Sequence, residues 1–305
     1  MDLSVVIPAY NRSRVLEVCL RCLSRQTLSP DRYEVIVVDD GSEEDLRPVV
    51  DPFRKALQVQ LLRQPRNLGR AAARNRGIAA ARGEVVVFVD SDVFAAPGFL
   101  AAHAGIHARH LRAVGRGPLL LTEHLDDPLR SPPYLRDPSP AFLDTANASV
   151  RRIHLLEAGG FDESFREYGW EDFELGMRLA RLGLRRVYRS RALAYHYQPL
   201  PDPHSLQDLF RKEEERARMA VRLFRKRPGW RTRWVVQHTP LHRALAFLMT
   251  LGGHMDQDQL CRLLQAPHLS PVRKYLLLRG ALNRHYLQTL SREWRAVWNR
   301  SASAW

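Results

Sequence analysis

The chain has 305 residues, of which 45% are apolar and 26% charged, with 17 Gly and 19 Pro. These are proportions of one large or two small globular domains, so disorder, collagen and coiled coil fit poorly. The longest apolar runs, residues 85–89 and 244–251, fall well short of the roughly 20 residues a helix needs to cross a bilayer, and no span is expected. Met1-Asp2-Leu3-Ser4 has no basic region followed by an apolar stretch, so no secretion signal and a cytoplasmic location are expected. Three cysteines are an odd count, and Cys19-Leu-Arg-Cys22 lacks the second pair a zinc site wants. Reduced thiols within a helix are the simpler reading.

The net charge of +14 is unevenly spread. Residues 205–305 hold 19 Lys+Arg against 7 Asp+Glu, whereas residues 1–204 hold 28 against 26. Such a segment attracts phosphate-rich partners, whether nucleic acid, anionic lipid head groups or a diphosphate-linked acceptor. It also reads as a solvated basic helical surface.

In chain order, residues 3–8, 34–39, 59–63 and 84–90 are short runs rich in β-branched residues, each followed by turn residues or carboxylates, and read as buried strands. Between them Val15, Leu16, Cys19, Leu20 and Leu23 recur on one helical face, and residues 69–81 form an alanine-rich helix. The alternation predicts an α/β fold with a mainly parallel sheet covered by helices. His103, His107 and His110 stand at helical spacing with no carboxylate between them and read as a solvated helix face. Residues 118–140, with Pro128, Pro132, Pro133, Pro138 and Pro140, read as a long surface loop. Helices over 151–158 and 170–182 and strands near 186–188 and 192–197 follow. Beyond Pro203 the pattern is helical over 206–227, 234–251, 258–264 and 271–298, which predicts a domain over 1–203 and a basic α-helical extension over 204–305.

The unusual residues fall at strand ends. Pro8-Ala9-Tyr10-Asn11-Arg12 follows the first strand, Asp39-Asp40-Gly41-Ser42 the second and Asp90-Ser91-Asp92 the fourth. In an open parallel sheet ligands bind at the carboxyl ends of the strands, where helices present free N–H groups. Asp90 and Asp92, one residue apart after an apolar strand, suit a hard divalent cation that bridges a diphosphate. The same spacing also makes an exposed turn. Asp39 suits the imide N–H of a uracil or a ribose hydroxyl, while Asp40-Gly41-Ser42 also reads as a turn and helix N-cap.

Residues 4–12 (SVVIPAYNR), 37–42 (VVDDGS), 66–77 (RNLGRAAARNRG) and 88–92 (FVDSD) resemble the family 2 glycosyltransferases of the GT-A fold. Residues 159–165 (GGFDESF) and 169–175 (GWEDFEL) resemble the acceptor-side motif of the same family. The resemblance covers about residues 3–200, in order and in register.

The resemblance implies an inverting transfer of a sugar from a nucleoside diphosphate donor to an acceptor hydroxyl on a glycan, a lipid-linked carrier or a small molecule. It places Pro8, Ala9, Tyr10, Arg12, Asp39, Asp40, Gly69, Arg74, Asn75, Asp90 and Ser91 at the donor. Asn147, Trp170 and Glu171 fall at the acceptor. Asp90, Asp92 and His196 become ligands of Mn²⁺ or Mg²⁺, the imidazole favouring Mn²⁺. Such a reaction needs charge stabilisation at the departing diphosphate and a base at the attacking hydroxyl. Asp172 is the expected base, at a helix start whose dipole favours the carboxylate; capping alone is its other reading, and a strand histidine is the other reading of His196. The Asp39 reading leans to uridine.

A dinucleotide-dependent oxidoreductase would need Gly-x-Gly-x-x-Gly after the first strand, where Pro8-Ala9-Tyr10-Asn11 stands instead. The alternative from another class is a nucleic-acid or anionic-membrane binding protein with a non-catalytic nucleotide-sugar fold, its basic helices carrying Trp230, Trp234, Trp294 and Trp298. That account leaves the carboxylate motifs unexplained, and nucleic acid is not the expected partner. The extension is expected to dock on the inner face of the plasma membrane or to hold a phosphate-bearing acceptor.

Overall fold

The computed structural model describes residues 1–130, 133, 135–137, 139, 141–199, 201, 203–242, 244 and 257–302. The chain divides into two compact units, one of Met1–Arg166 with Glu171–Pro199, the other of Glu167–Trp170 with Leu200–Trp305.

The first unit holds eleven described strands: β1 (Leu3–Ala9), β2 (Tyr33–Asp39), β3 (Val59–Arg63), β4 (Val85–Phe88), β5 (Val93–Ala95), β6 (Ala113–Arg116), β7 (Leu119–Thr122), β8 (Leu135–Arg136), β9 (Ala148–Arg151), β10 (Arg185–Tyr188) and β11 (Ala194–Tyr197). Its helices are α1 (Ser13–Leu23), α2 (Arg47–Val50), α3 (Arg70–Ala80), α4 (Phe99–Arg109), α5 (Arg152–Glu157) and α6 (Glu171–Arg181). The main sheet runs β10-β6-β9-β4-β1-β2-β3, parallel throughout except for β9, which is antiparallel to both neighbours. A second sheet runs β5-β11-β7-β8.

The central strands are apolar at almost every position because both faces are covered. Leu3, Val5 and Ile7 of β1 pack with Leu16, Leu20 and Leu23 of α1, which accounts for the periodicity of that helix. Val6, Ile36, Val38 and Phe88 face the other way, onto Ala71, Ala73 and Ile78 of α3. The alanine-rich pattern of α3 reflects its close approach to the sheet: a Cβ on Gly77 would lie 2.3 Å from Val6 Cγ1.

Two expectations change. Residues 118–140 do not form one loop, since β7 and β8 lie within them and β7 pairs with β11. The partner strand lies some seventy residues further on, which no local pattern signals. Pro132, Pro138 and Pro140 lie outside the described residues. His103 and His107 are not a solvated face but are 0% and 2% exposed, while His110 is exposed as expected. His103 Nε2–H donates to Asn147 Oδ1 (3.1 Å), its Nδ1 accepts from the Ser149 hydroxyl (2.8 Å), and His107 Nε2–H donates to Ser149 Oγ (2.8 Å), roles set by what each partner can offer. Burial lowers both imidazoles, to about 4 and about 3, so the pair is neutral and ties α4 to β9. The cysteines in α1, Cys19 and Cys22, are buried and reduced.

The second unit contains α7 (Pro203–Lys226), α8 (Trp230–Val235), α9 (Gln257–Gln265) and α10 (Pro271–Ala302). Leu206, Leu260, Leu264, Leu278 and Leu282 form one of its cores. Residues 245–251 of the expected 234–251 helix lie outside the described residues, as does the Trp298 side chain. Among the described residues no helix is long and apolar enough to cross a membrane.

Gly117, between β6 and β7, passes so close to the chain that a Cβ there would lie 1.8 Å from the Ala192 carbonyl oxygen. Backbone cannot swing aside as a side chain can. Gly117→Ala should therefore lower unfolding stability by roughly 1–3 kcal/mol, read as a reduced urea midpoint at unchanged m-value.

Candidate active site

Ala9 pairs with Asp39 in the β1–β2 register and Val6 with Phe88 in β1–β4, so the segments after β1, β2 and β4 leave the sheet side by side at its carboxyl edge. Pro8 and Ala9 are largely covered, whereas Tyr10 is 41% exposed at the rim. Asn11, at φ 50°, ties two of these segments: its N–H donates to Ser42 Oγ (2.9 Å) and its Oδ1 accepts from Glu43 N–H (2.8 Å). Asp39 accepts from Ser42 N–H (2.8 Å) through Oδ1, and its buried Oδ2 has no hydrogen bond, with Arg63 Nε at 3.6 Å.

Asp40 spends both oxygens inside the fold. It accepts from Gln64 Nε2 (2.6 Å) and from the backbone N–H of Leu68 (2.8 Å) and Gly69 (3.0 Å). Burial raises its pKa against those hydrogen bonds. These bonds hold the turn into α3. Gly69 in that turn has φ 93°, and a Cβ there would lie 2.7 Å from the Arg166 carbonyl oxygen. Its part is close backbone approach.

Arg74 stands at the centre. It is 1% exposed, with Nη1 donating to Glu171 Oε1 and Nη2 to Asp90 Oδ1, each at 2.8 Å. Burial opposes its charge, but Asp90 and Glu171 more than compensate and raise its pKa. Its charge is matched by two carboxylates and shielded from solvent. Glu171, expected at the acceptor, is 4% exposed, and its Oε2 is buried without a hydrogen bond.

Asn75, also expected at the donor, clamps the 159–165 motif. Its Oδ1 accepts from Phe161 N–H (2.7 Å), and its Nδ2 donates to Phe161 O (2.9 Å) and Glu163 Oε1 (2.8 Å). Asn147, expected at the acceptor, is 0% exposed with Nδ2 donating to the Pro118 (3.1 Å) and Ala192 (2.9 Å) carbonyls. Trp170 belongs to the second unit, where its Nε1–H donates to Arg216 O (2.9 Å) and the Arg216 guanidinium lies 5.5 Å from a ring centroid.

Asp92 and His196 meet because β11 runs antiparallel to β5, with His196 opposite Val93 and Tyr197 N–H donating to Asp92 O (2.9 Å). His196 Nε2 lies 3.6 Å from Asp92 Oδ1, and Arg12 Nη1 donates to Asp92 Oδ2. Burial works against the Asp92 charge, yet His196 and Arg12 hold the carboxyl well below the usual range. Burial likewise disfavours the imidazolium, but Asp92 raises the His196 pKa. Ser91, between the two aspartates, is 6% exposed.

Asp172 is half-buried at the start of α6, where its Oδ1 accepts from Phe173 N–H (2.6 Å). Burial, then the charges of Glu171 and Asp144, push its carboxyl up to about 8. Asp144 escaped the sequence reading, since nothing around it forms a motif; it is paired to Arg116 (2.6 Å). The two residues line a cleft of about 290 Å³ at the carboxyl ends of β6 and β10, together with Arg136, Arg186 and Tyr188.

Residues 4–116 match the family model "Glycosyl transferase family 2". The solved mannosyltransferase PcManGT from Pyrobaculum calidifontis, in complex with GDP-Man and Mn²⁺, superposes at TM-score 0.61 and 18% identity, covering 94% of this chain and 86% of that one. S. aureus TarS 1–349 in complex with UDP-GlcNAc superposes at 0.58 and 20% identity, covering 97% and 92%. Residues 4–116 thus resemble glycosyltransferase family 2, and the chain has the GT-A fold. Among curated relatives of this family, the validoxylamine A glucosyltransferase of Streptomyces hygroscopicus subsp. limoneus is 33% identical over 226 residues, 60% of this chain and 48% of the relative. The hyaluronan synthase of Pasteurella multocida is 29% identical over 244 residues, 65% of this chain and 25% of the relative. The chain thus spans about half the length of the first relative and a quarter of the second.

The residues present fit a family 2 metal only in part. Asp92 and His196 offer an oxygen and a nitrogen donor facing each other, and His196 Nδ1 is buried without a hydrogen bond. Asp90 has Oδ1 engaged by Arg74, and among the described residues no three His, Cys, Asp or Glu side chains form a metal-holding group. Asp92 and His196, with Asp90 through its other oxygen, are the residues that would hold a cation.

Arg74→Met would leave Asp90 and Glu171 as unpaired carboxylates. The expected cost is about 3–5 kcal/mol of folding stability, measured by urea denaturation at pH 7.

Proposed function

We propose that this protein moves a sugar from a uridine diphosphate donor to an acceptor hydroxyl with inversion, Asp172 accepting the proton. One observation carries the reading: two aspartates at the same edge of the sheet are driven apart in acidity, Asp92 held ionised and Asp172 raised to about 8. Pairs of carboxyls with opposed shifts separate a permanently charged task from a proton-transfer task.

Asp172 feels the charge of Asp144, which with Arg116 and Tyr188 lines a cleft that has room for an acceptor sugar or an equivalent small group. In its anionic form it takes the hydroxyl proton as the oxygen attacks the anomeric carbon. Arg74 and Glu171 hold the start of α6 relative to β4, so the base keeps its place while charge moves. Asp39 Oδ2, without a hydrogen bond, suits a uracil imide or ribose hydroxyl, and Tyr10 and Arg12 border the diphosphate side. A Mn²⁺ or Mg²⁺, if held by Asp90, Asp92 and His196, would supply Lewis-acid stabilisation of the departing diphosphate.

Three outcomes test this reading on a panel of nucleotide sugars with acceptors. Asp172→Asn should lower kcat by about 10²–10⁴-fold while leaving donor affinity near that of the parent; unchanged turnover removes Asp172 from the role. Because the proton acceptor is the carboxylate, present above its raised pKa and lost as pH falls, kcat/KM should climb with pH and level off above about 8. Excess chelator should stop turnover and Mn²⁺ restore it, and His196→Ala should demand more Mn²⁺ for half-restoration. Persistent activity in chelator would rule out the metal.

A further inference from the structure

We propose that α8 and its flanks form a docking surface for an anionic lipid bilayer, with Trp230 and Trp234 entering the interface and the surrounding cations meeting the head-group phosphates. From residue 216 to residue 255 the sequence contains nine Lys+Arg and no Asp or Glu. That imbalance is far steeper than in the extension as a whole. Within it, Arg222, Arg225, Lys226, Arg231 and Arg233 are exposed.

The aromatic part has a definite geometry. Pro228 and Gly229 end α7, and Gly229 starts α8 from φ 147°, a backbone that only glycine adopts readily. The new helix turns Thr232 (4% exposed) and Val236 (0%) inward. Trp230 and Trp234, four residues apart and hence on one face, are left 73% and 51% exposed. Thus a threonine is buried while two indoles face solvent, the reverse of an ordinary amphipathic helix. His242 packs edge-on against Trp234 at 5.0 Å between centroids, which brings the neighbouring Leu241, 50% exposed, to the same patch.

Exposed apolar groups gathered in this way mark an interaction surface. Indoles prefer the head-group boundary, where ring and N–H both find partners, and juxtaposed Lys and Arg add attraction to anionic lipid. The Arg231 guanidinium lies 5.5 Å from the Trp230 ring centroid. That covers a ring face which base stacking on nucleic acid would need, and it carries a phosphate-binding group beside the indole. A bilayer is the occupant that satisfies both the rings and the charges.

The test is vesicle flotation of the full chain at low salt. Vesicles of phosphatidylcholine with about 30 mol % phosphatidylserine should capture the protein, pure phosphatidylcholine at least about tenfold less. Trp230→Ser/Trp234→Ser and, separately, Arg225→Gln/Lys226→Gln/Arg231→Gln should each reduce capture about tenfold with unchanged melting temperature. Brominated lipid should quench the parent's tryptophan emission and the double serine variant's far less. Equal capture by neutral and anionic vesicles overturns the proposal, as does undiminished capture of the tryptophan variant. Tight binding of a single-stranded oligonucleotide that the tryptophan variant loses, with vesicle capture unaffected, reassigns the surface and also overturns it.

Discussion

The buried guanidinium of Arg74 is the interaction on which the rest of the site depends. A positive charge removed from water is tolerated only when anionic partners stand at bonding distance on more than one side, and Asp90 and Glu171 do so. One partner follows β4 and the other opens α6, so a single side chain joins two motifs separated by some eighty residues of chain. Arg74 itself sits on α3, whose alanines and Gly77 allow it to lie close against the sheet.

That bridge also sorts the acidic residues by task. Glu171 and Asp90 face Arg74, Asp92 faces Arg12 and His196, and Asp172 is left beside other negative charge. The carboxyl without a matched cation is the one whose proton is held most strongly, the property a base working near neutrality needs. Around this core, Asp40 and Asn75 satisfy the backbone of the loops that shape the edge.

The two units differ in what their sequences reveal. In the first, continuous apolar strands and a 3.6-residue apolar repeat in α1 are direct consequences of burial on both faces of a parallel sheet, so β1 to β4 are readable from pattern alone. Of the second sheet, β11 is anticipated within residues 192–197 but β5 and β7 are not, because they are only three or four residues long and find their partner across a long sequence separation. Histidines at helical spacing are equally ambiguous: only the apposed Ser149 and Asn147 convert His103 and His107 into buried groups. In the second unit, helical periodicity and excess charge are visible in composition, whereas the outward aim of Trp230 and Trp234 follows from Gly229 and from which residues α8 turns inward.

Local sequence thus determined the alternating α/β layout, the strand ends that carry Asp39, Asp90 and Asp92, and the family resemblance, because each rests on residues adjacent in the chain. Tertiary structure alone decided which partners Arg74, Asp40, Asn75 and Asn147 bond within the fold, that His196 meets Asp92, and that Asp144 acts on Asp172. Those outcomes depend on distances between segments far apart in sequence, and on burial, which strengthens every charge interaction and is a property of the folded whole.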